Sequence, residues 1–150
     1  MIDLKRDPAT FVTEKQLIER IKNELSEKHV KWWRAGWFIL CDKTTKNMHF
    51  GDGIYLKDFM SRNKYDTLSY VRIRLVADVL NIRSVYGRPF HILVGFKSKT
   101  CKRTEIDFDE KWHSFGCAVD IKPRLTRQMH NLRRATRYAK RKGGRRYYND

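Results

Sequence analysis

Trp112-His113-Ser114-Phe115-Gly116-Cys117-Ala118-Val119-Asp120-Ile121 is the stretch on which the reading of this 150-residue chain turns. It sets a histidine and an aspartate seven positions apart, across a glycine-bearing turn that leads into a short apolar strand. Imidazole nitrogen and carboxylate oxygen both ligate zinc, at roughly 2.0–2.2 Å. Gly116 permits a turn that a side chain would obstruct. Ala118 is small enough to leave space above a bound ion, and Val119 and Ile121 can anchor the strand in a core. His113 and Asp120 are therefore candidate metal ligands. The competing reading of the same pair is a buried His–Asp hydrogen bond that serves packing alone.

The pattern His-x-x-Gly-x-Ala-x-Asp resembles the zinc-site signature of the D-Ala-D-Ala carboxypeptidase and L-alanoyl-D-glutamate endopeptidase family. These are bacterial cell-wall peptidases and phage endolysins, and the Hedgehog signalling domain shares their fold. Upstream, Tyr86-Gly87-Arg88-Pro89-Phe90-His91-Ile92-Leu93-Val94-Gly95-Phe96-Lys97-Ser98 is similar to the family segment in which a helix ends, a strand follows and a Ser-Gly-Tyr-Arg-Ser-like turn closes it. Val94 stands where the family has serine, and Lys97 where it has arginine. Ile54-Tyr55-Leu56-Lys57-Asp58-Phe59 is similar to the family's Leu-Ser-Glu-Phe segment, so the likeness runs from about residue 53 to 120.

That resemblance implies an α+β single domain, with helices packed on a small, mainly antiparallel sheet that carries the His113–Asp120 hairpin. It implies a Zn2+ cofactor and peptidoglycan stem peptides as substrate. Lys97 would orient a substrate carboxylate, keeping the positive charge but losing arginine's planar fork; its other reading is a surface lysine. The family's third ligand is a histidine on a later strand, beside a catalytic acid. This sequence has Gly143-Gly144 and Tyr147-Tyr148 but no histidine beyond His130, so neither group has a matching position. Lys111 also stands where the family has serine. The third ligand could be His91, His49 or His130, or come from a second subunit, or be lost with catalysis. Asp107, Asp109 and Glu110 lie near in sequence without matching the family's base.

Charge sets a rival reading. Of the net charge of +16, +10 falls in residues 121–150, where 11 Lys and Arg face one acid, Asp150. Such a field attracts polyanions: nucleic acid, anionic headgroups or acidic wall polymers. Arg133, Arg134, Arg137, Lys140, Arg141, Arg145 and Arg146 could hold phosphates, and Tyr147-Tyr148 could stack on bases. The alternative function is thus a non-catalytic basic protein on the same scaffold that binds nucleic acid or a virion component. A solvated cationic face is the plainer explanation.

No apolar run approaches the ~20 residues of a bilayer span. Met1–Asp7 lacks the apolar core of a secretory signal, and three cysteines without C-x-x-C spacing read as a reduced, cytoplasmic chain. A wall hydrolase made there requires a holin-like release route or packaging in a virion, both of which fit a phage origin.

Along the chain, Thr13-Glu14-Lys15-Gln16 forms a capping box, and Leu17, Ile21 and Leu25 stripe a helix to about Lys28. Trp32-Trp33-Arg34-Ala35-Gly36-Trp37-Phe38-Ile39-Leu40 reads as strand in or beside the core, or as a stacking surface. Asp66 caps a second helix striped by Leu68, Val71, Leu75, Val79 and Ile82, ended by Gly87 and Pro89. Phe90–Val94 is a buried strand, with His91 a core histidine. Residues 97–110 form a polar connector. Pro123 opens a basic helix whose stripe is Leu125, Met129, Leu132, Thr136 and Ala139 and which ends at Gly143-Gly144. No repeat or boundary divides the chain, giving one peptidase-like domain over 1–150 with a basic helix and tail at about 123–150.

Overall fold

The computed structural model describes residues 11–33, 35–60, 69–94 and 119–143. Within them the chain is mixed helix and strand, with small antiparallel sheets and three α-helices. Helix α1 spans Glu14–Glu24 and begins as the sequence dictates. The Thr13 hydroxyl accepts from the Gln16 N–H at 3.1 Å, and the Gln16 side chain accepts from the Thr13 N–H at 3.0 Å. Its stripe, Leu17 and Ile21, is fully buried. The helix stops four residues earlier than expected, and Glu27–His29 forms a separate 3-10 turn.

Strand β1 (Val30–Trp33) pairs with β2 (Gly36–Cys41), and β2 pairs with β5 (Ser69–Arg72), all antiparallel. Phe38, Ile39 and Cys41 of β2 are buried, while Trp32 on the outer strand is 57% exposed. The aromatic patch is therefore strand, as expected, with its first tryptophans outside the core. In the turn after β2, the Asp42 side chain accepts from the Thr44 hydroxyl at 2.6 Å and from two backbone N–H groups. Those bonds, the Thr44 hydroxyl foremost, hold its carboxyl below the ordinary carboxylate range.

β3 (His49–Gly51) and β4 (Ile54–Tyr55) form a tight hairpin through Asp52 and Gly53, at φ 55° and 75°. Arg20 ties α1 to this hairpin: it donates to the Phe50 carbonyl at 3.0 Å and to the His49 carbonyl, and pairs with Glu24 at 3.0 Å. A 3-10 turn, Leu56–Phe59, follows, with Leu56 and Phe59 fully buried.

Helix α2 (Ile73–Tyr86) is apolar on nearly every side, the signature of a central helix. Its start corrects the sequence reading. Val71 belongs to β5, opposite Ile39, because sheet pairing captures the residues before Ile73; Leu68 and the expected cap Asp66 lie outside the described residues. Gly87 ends α2 at φ 74°, as expected. Buried Asn81 reaches from α2 to the segment before α1, accepting from the Val12 N–H at 2.8 Å and donating to its carbonyl at 3.0 Å.

β6 (Phe90–Val94) and β7 (Asp120–Pro123) make a separate two-stranded ribbon. The expected single sheet is thus, among the described residues, three small ones. Pro123 closes β7, fully buried, instead of opening a helix. Lacking an N–H, it suits a strand's last position, and the helical path begins with a 3-10 turn at Thr126–Gln128. Helix α3 (Met129–Gly143) packs on α2 through Leu132, Ala135 and Ala139, with Ile82, Val85, Tyr86 and Phe11 completing that cluster. Leu125 precedes the helix and is 47% exposed, so it drops out of the expected stripe, and Ala135 takes a place in it.

Candidate metal hairpin and basic helix

The two faces of the β6–β7 ribbon differ sharply. Register pairs Phe90 with Pro123 and Ile92 with Ile121, and these four turn towards the core: Ile92 and Pro123 are buried, while Phe90 and Ile121 pack against both apolar clusters. The other face presents His91, Leu93, Asp120 and Lys122, all exposed. A register irregularity between Ile92 and Val94 brings Asp120 opposite Val94 at the open end of the ribbon. Alternation alone explains this: Ile121 and Pro123 are drawn inward, so Asp120 and Lys122 must point out.

His91 is accordingly not the core histidine that its apolar neighbours suggested. It shares the outward face with Asp120, whereas the other candidate third ligands lie elsewhere. His49 stacks on Tyr55 with ring centroids 4.5 Å apart and accepts from the Gly53 N–H at 3.2 Å. His130 is exposed on α3. Among the described residues, no three His, Cys, Asp or Glu side chains gather into a metal-holding group. His113 and Lys97 lie outside the described residues, as do Asp107, Asp109 and Glu110.

At the other end of β6, His91 borders a cleft of about 460 Å³ with Arg83, Arg124, Asp52 and Asp58 around it. Arg83 brings a buried Nε that has no hydrogen-bond partner among the described residues. Nothing in the spacing of these residues announces their convergence, because they come from four separate elements.

The basic helix is amphipathic in space as in sequence. Opposite its Leu132–Ala135–Ala139 face, Arg133, Arg137 and Arg141 are exposed and Arg134 half-buried. Arg134, Arg137, Tyr138 and Arg141 border one hollow of about 440 Å³, the Arg141 guanidinium lying 5.9 Å from the Tyr138 ring centre. Tyr138 escaped the sequence reading, although its place four residues after Arg134 puts it on the same strip. Lys140, also of the expected basic set, is half-buried between α2 and α3, beside a cavity of about 90 Å³ lined by Leu75, Val79 and Ile82. Burial holds its amine below the usual lysine value, partly offset by Asp78. Arg145 and Arg146 lie outside the described residues.

The chain matches no protein-family model, no curated protein and no solved structure. No helix among the described residues is long and apolar enough to cross a membrane.

Proposed function

We propose that this protein is a divergent zinc-dependent peptidase of the D-Ala-D-Ala carboxypeptidase type, acting on peptidoglycan stem peptides. The observation that carries the reading is the position of Asp120. The last residue of His-x-x-Gly-x-Ala-x-Asp stands exposed at the first position of β7, on the face of the ribbon turned away from the core. The competing reading, a buried His–Asp pair that serves packing, would leave this carboxylate covered, whereas it is exposed. An outward carboxylate on a strand held from behind by buried neighbours is what an oxygen ligand requires, since the rigid element fixes the donor. Succession along the chain adds support: α2, a strand, and the motif's strand antiparallel to it follow the order that the family resemblance implies.

His113 and Asp120 would hold the ion; the third ligand stays unassigned. When bound, zinc supplies an acidified water and polarises a peptide carbonyl. The chain's own part is to fix the carboxylate through the Ile92–Ile121 pairing, and Lys97 would orient a substrate carboxylate by charge.

Metal analysis of the purified protein tests this. Near-stoichiometric zinc is expected, lost in His113→Ala and in Asp120→Asn, with chelator-sensitive release of peptides from peptidoglycan. Asp120→Asn keeps the side chain's shape, and its thermal transition, measured beside the parent's, separates lost metal from lost fold. A protein that takes up no zinc at micromolar free metal, with an Asp120→Asn variant indistinguishable from it, sinks the proposal. The non-catalytic binding protein on the same scaffold would then stand in its place.

A further inference from the structure

The basic face of α3 is a surface separate from the Asp120 ribbon, and the peptidase reading makes no use of it. From Thr126 to Gly143 the chain holds seven Lys and Arg and no acid. Because Leu132, Ala135 and Ala139 dock on α2, the helix cannot rotate to hide its charges. The guanidinium groups therefore stand on a rigid base, which lowers the ordering cost of binding.

We propose that Arg134, Arg137, Tyr138 and Arg141 form a binding site for single-stranded nucleic acid. Three guanidinium groups span seven residues of helix, about 10.5 Å at 1.5 Å per residue. Set along one strip, each guanidinium can take one backbone phosphate, so the face offers up to three such contacts. Charge alone would suit any polyanion. Tyr138 makes the difference: its ring packs in part on the α2–α3 cluster and in part borders the hollow with three arginines, where a stacked base would take the place of the Arg141 guanidinium, 5.9 Å from its centre. Polyphosphate, teichoic-acid-like polymers and lipid headgroups have no π-face for such a ring to recognise. Duplex DNA keeps its bases stacked on one another. The site holds whether or not His113 and Asp120 bind zinc.

The test is fluorescence anisotropy of a labelled oligothymidylate with the full chain, titrated from 50 to 200 mM salt. Three phosphate contacts give a slope of log affinity on log salt of about −2, an 18-fold or so loss across that range, at roughly 0.7 per phosphate. Replacing Arg134, Arg137 and Arg141 together with Gln should remove about 2 from the magnitude of the wild-type slope, which other cations can only steepen. Tyr138→Leu keeps the packing bulk and should weaken the oligonucleotide about tenfold with its slope intact. Tyr138→Phe should bind as the parent does. Linear polyphosphate should respond to the arginine variant and ignore Tyr138→Leu. Tighter binding to the matching duplex overturns the proposal. So does a triple variant whose slope falls by less than one phosphate's worth, or a folded Tyr138→Leu that costs the oligonucleotide nothing. If Tyr138→Leu does not fold, the arginine variant and the comparison of oligonucleotide with polyphosphate decide the question.

Discussion

Asn81 offers the sharpest check on how this fold is held. Its side chain is buried on α2, yet both of its amide atoms are used on one residue 69 positions away: Oδ1 takes the Val12 N–H and Nδ2 meets the Val12 carbonyl. The segment around residue 12 has no strand partner among the described residues, so this amide supplies what a sheet edge would. Asn81→Leu fits the same volume but offers neither donor nor acceptor. Two hydrogen bonds worth about 1 kcal/mol each are lost, and the two part-buried backbone groups of Val12 gain a desolvation penalty of roughly 1 kcal/mol apiece. Extra apolar burial returns about 1–2 kcal/mol at most. The net loss is about 2–3 kcal/mol, or a fall in melting temperature of roughly 5–10 °C for a chain of this size. Chemical denaturation gives the free energy, and amide exchange gives the location. The Val12 N–H should lose its protection, while the N–H groups inside α2 change only as global stability does. If Asn81→Leu melts like the parent, or if Val12 exchanges no faster, the amide is not a tether and the reasoning fails.

Gly87→Val should cost about 1–2 kcal/mol in a denaturant melt, because φ 74° at the end of α2 is strained for a β-branched residue. Among the described residues, nothing beyond its chain neighbours and the turn of α2 it caps lies within 4 Å of the added Cβ, so Gly87→Asn, which tolerates that backbone, should recover most of the loss. Lys140 gives a pH dependence. Its amine titrates below 10.5 when folded, so the unfolded chain binds more protons between the folded value and 10.5, and stability rises with pH across that window. Stability measured from pH 8 to 10.5, relative to Lys140→Met, should therefore shift in favour of the parent as pH increases; a constant difference refutes the burial of that amine.

Local chemistry was the legible part of the sequence. The Thr13 capping box, the Gly87 stop and the apolar stripe of α1 each depend on residues within one or two turns, and each stands where expected. The Asp52-Gly53 hairpin was equally open to reading, since that dipeptide suits two positive φ values in succession. Errors arose where a tertiary partner decides. Val71 continues a helical spacing, yet β2 offers it a ladder, and pairing outweighs a two-residue extension of a helix. Pro123 is as compatible with a strand end as with a helix start, and only the partner Phe90 selects between them. His91 looked internal because its neighbours are apolar. A ribbon with one covered face sends alternate residues out regardless of their company. The cleft beside His91 could not be foreseen at all, because its charges meet only through packing. For the candidate ligand Asp120, the side to which it points is legible once the inward demand of Ile121 is granted.

The segment 119–143 holds one proposed metal ligand, Asp120, and the whole proposed nucleic-acid face, and their electrostatic needs oppose each other. The carboxylate of Asp120 attracts a cation, while Lys122, Arg124 and Arg127 follow it within seven residues and α3 adds six more positive side chains. Lys122 is on the same ribbon face, within the roughly 10 Å over which exposed charges interact at 0.1 M salt. A positive field lowers affinity for a dication and raises it for an anionic peptide terminus or a nucleic acid backbone. Salt therefore strips a polyanion from α3, whereas at Asp120 it screens the repelling cations and the attracting carboxylate alike. Within such a field Asp120 retains zinc only together with His113 and a third ligand, which is why both His113→Ala and Asp120→Asn should release the metal. The arginine face faces no such opposition: every neighbouring charge on α3 works in its favour.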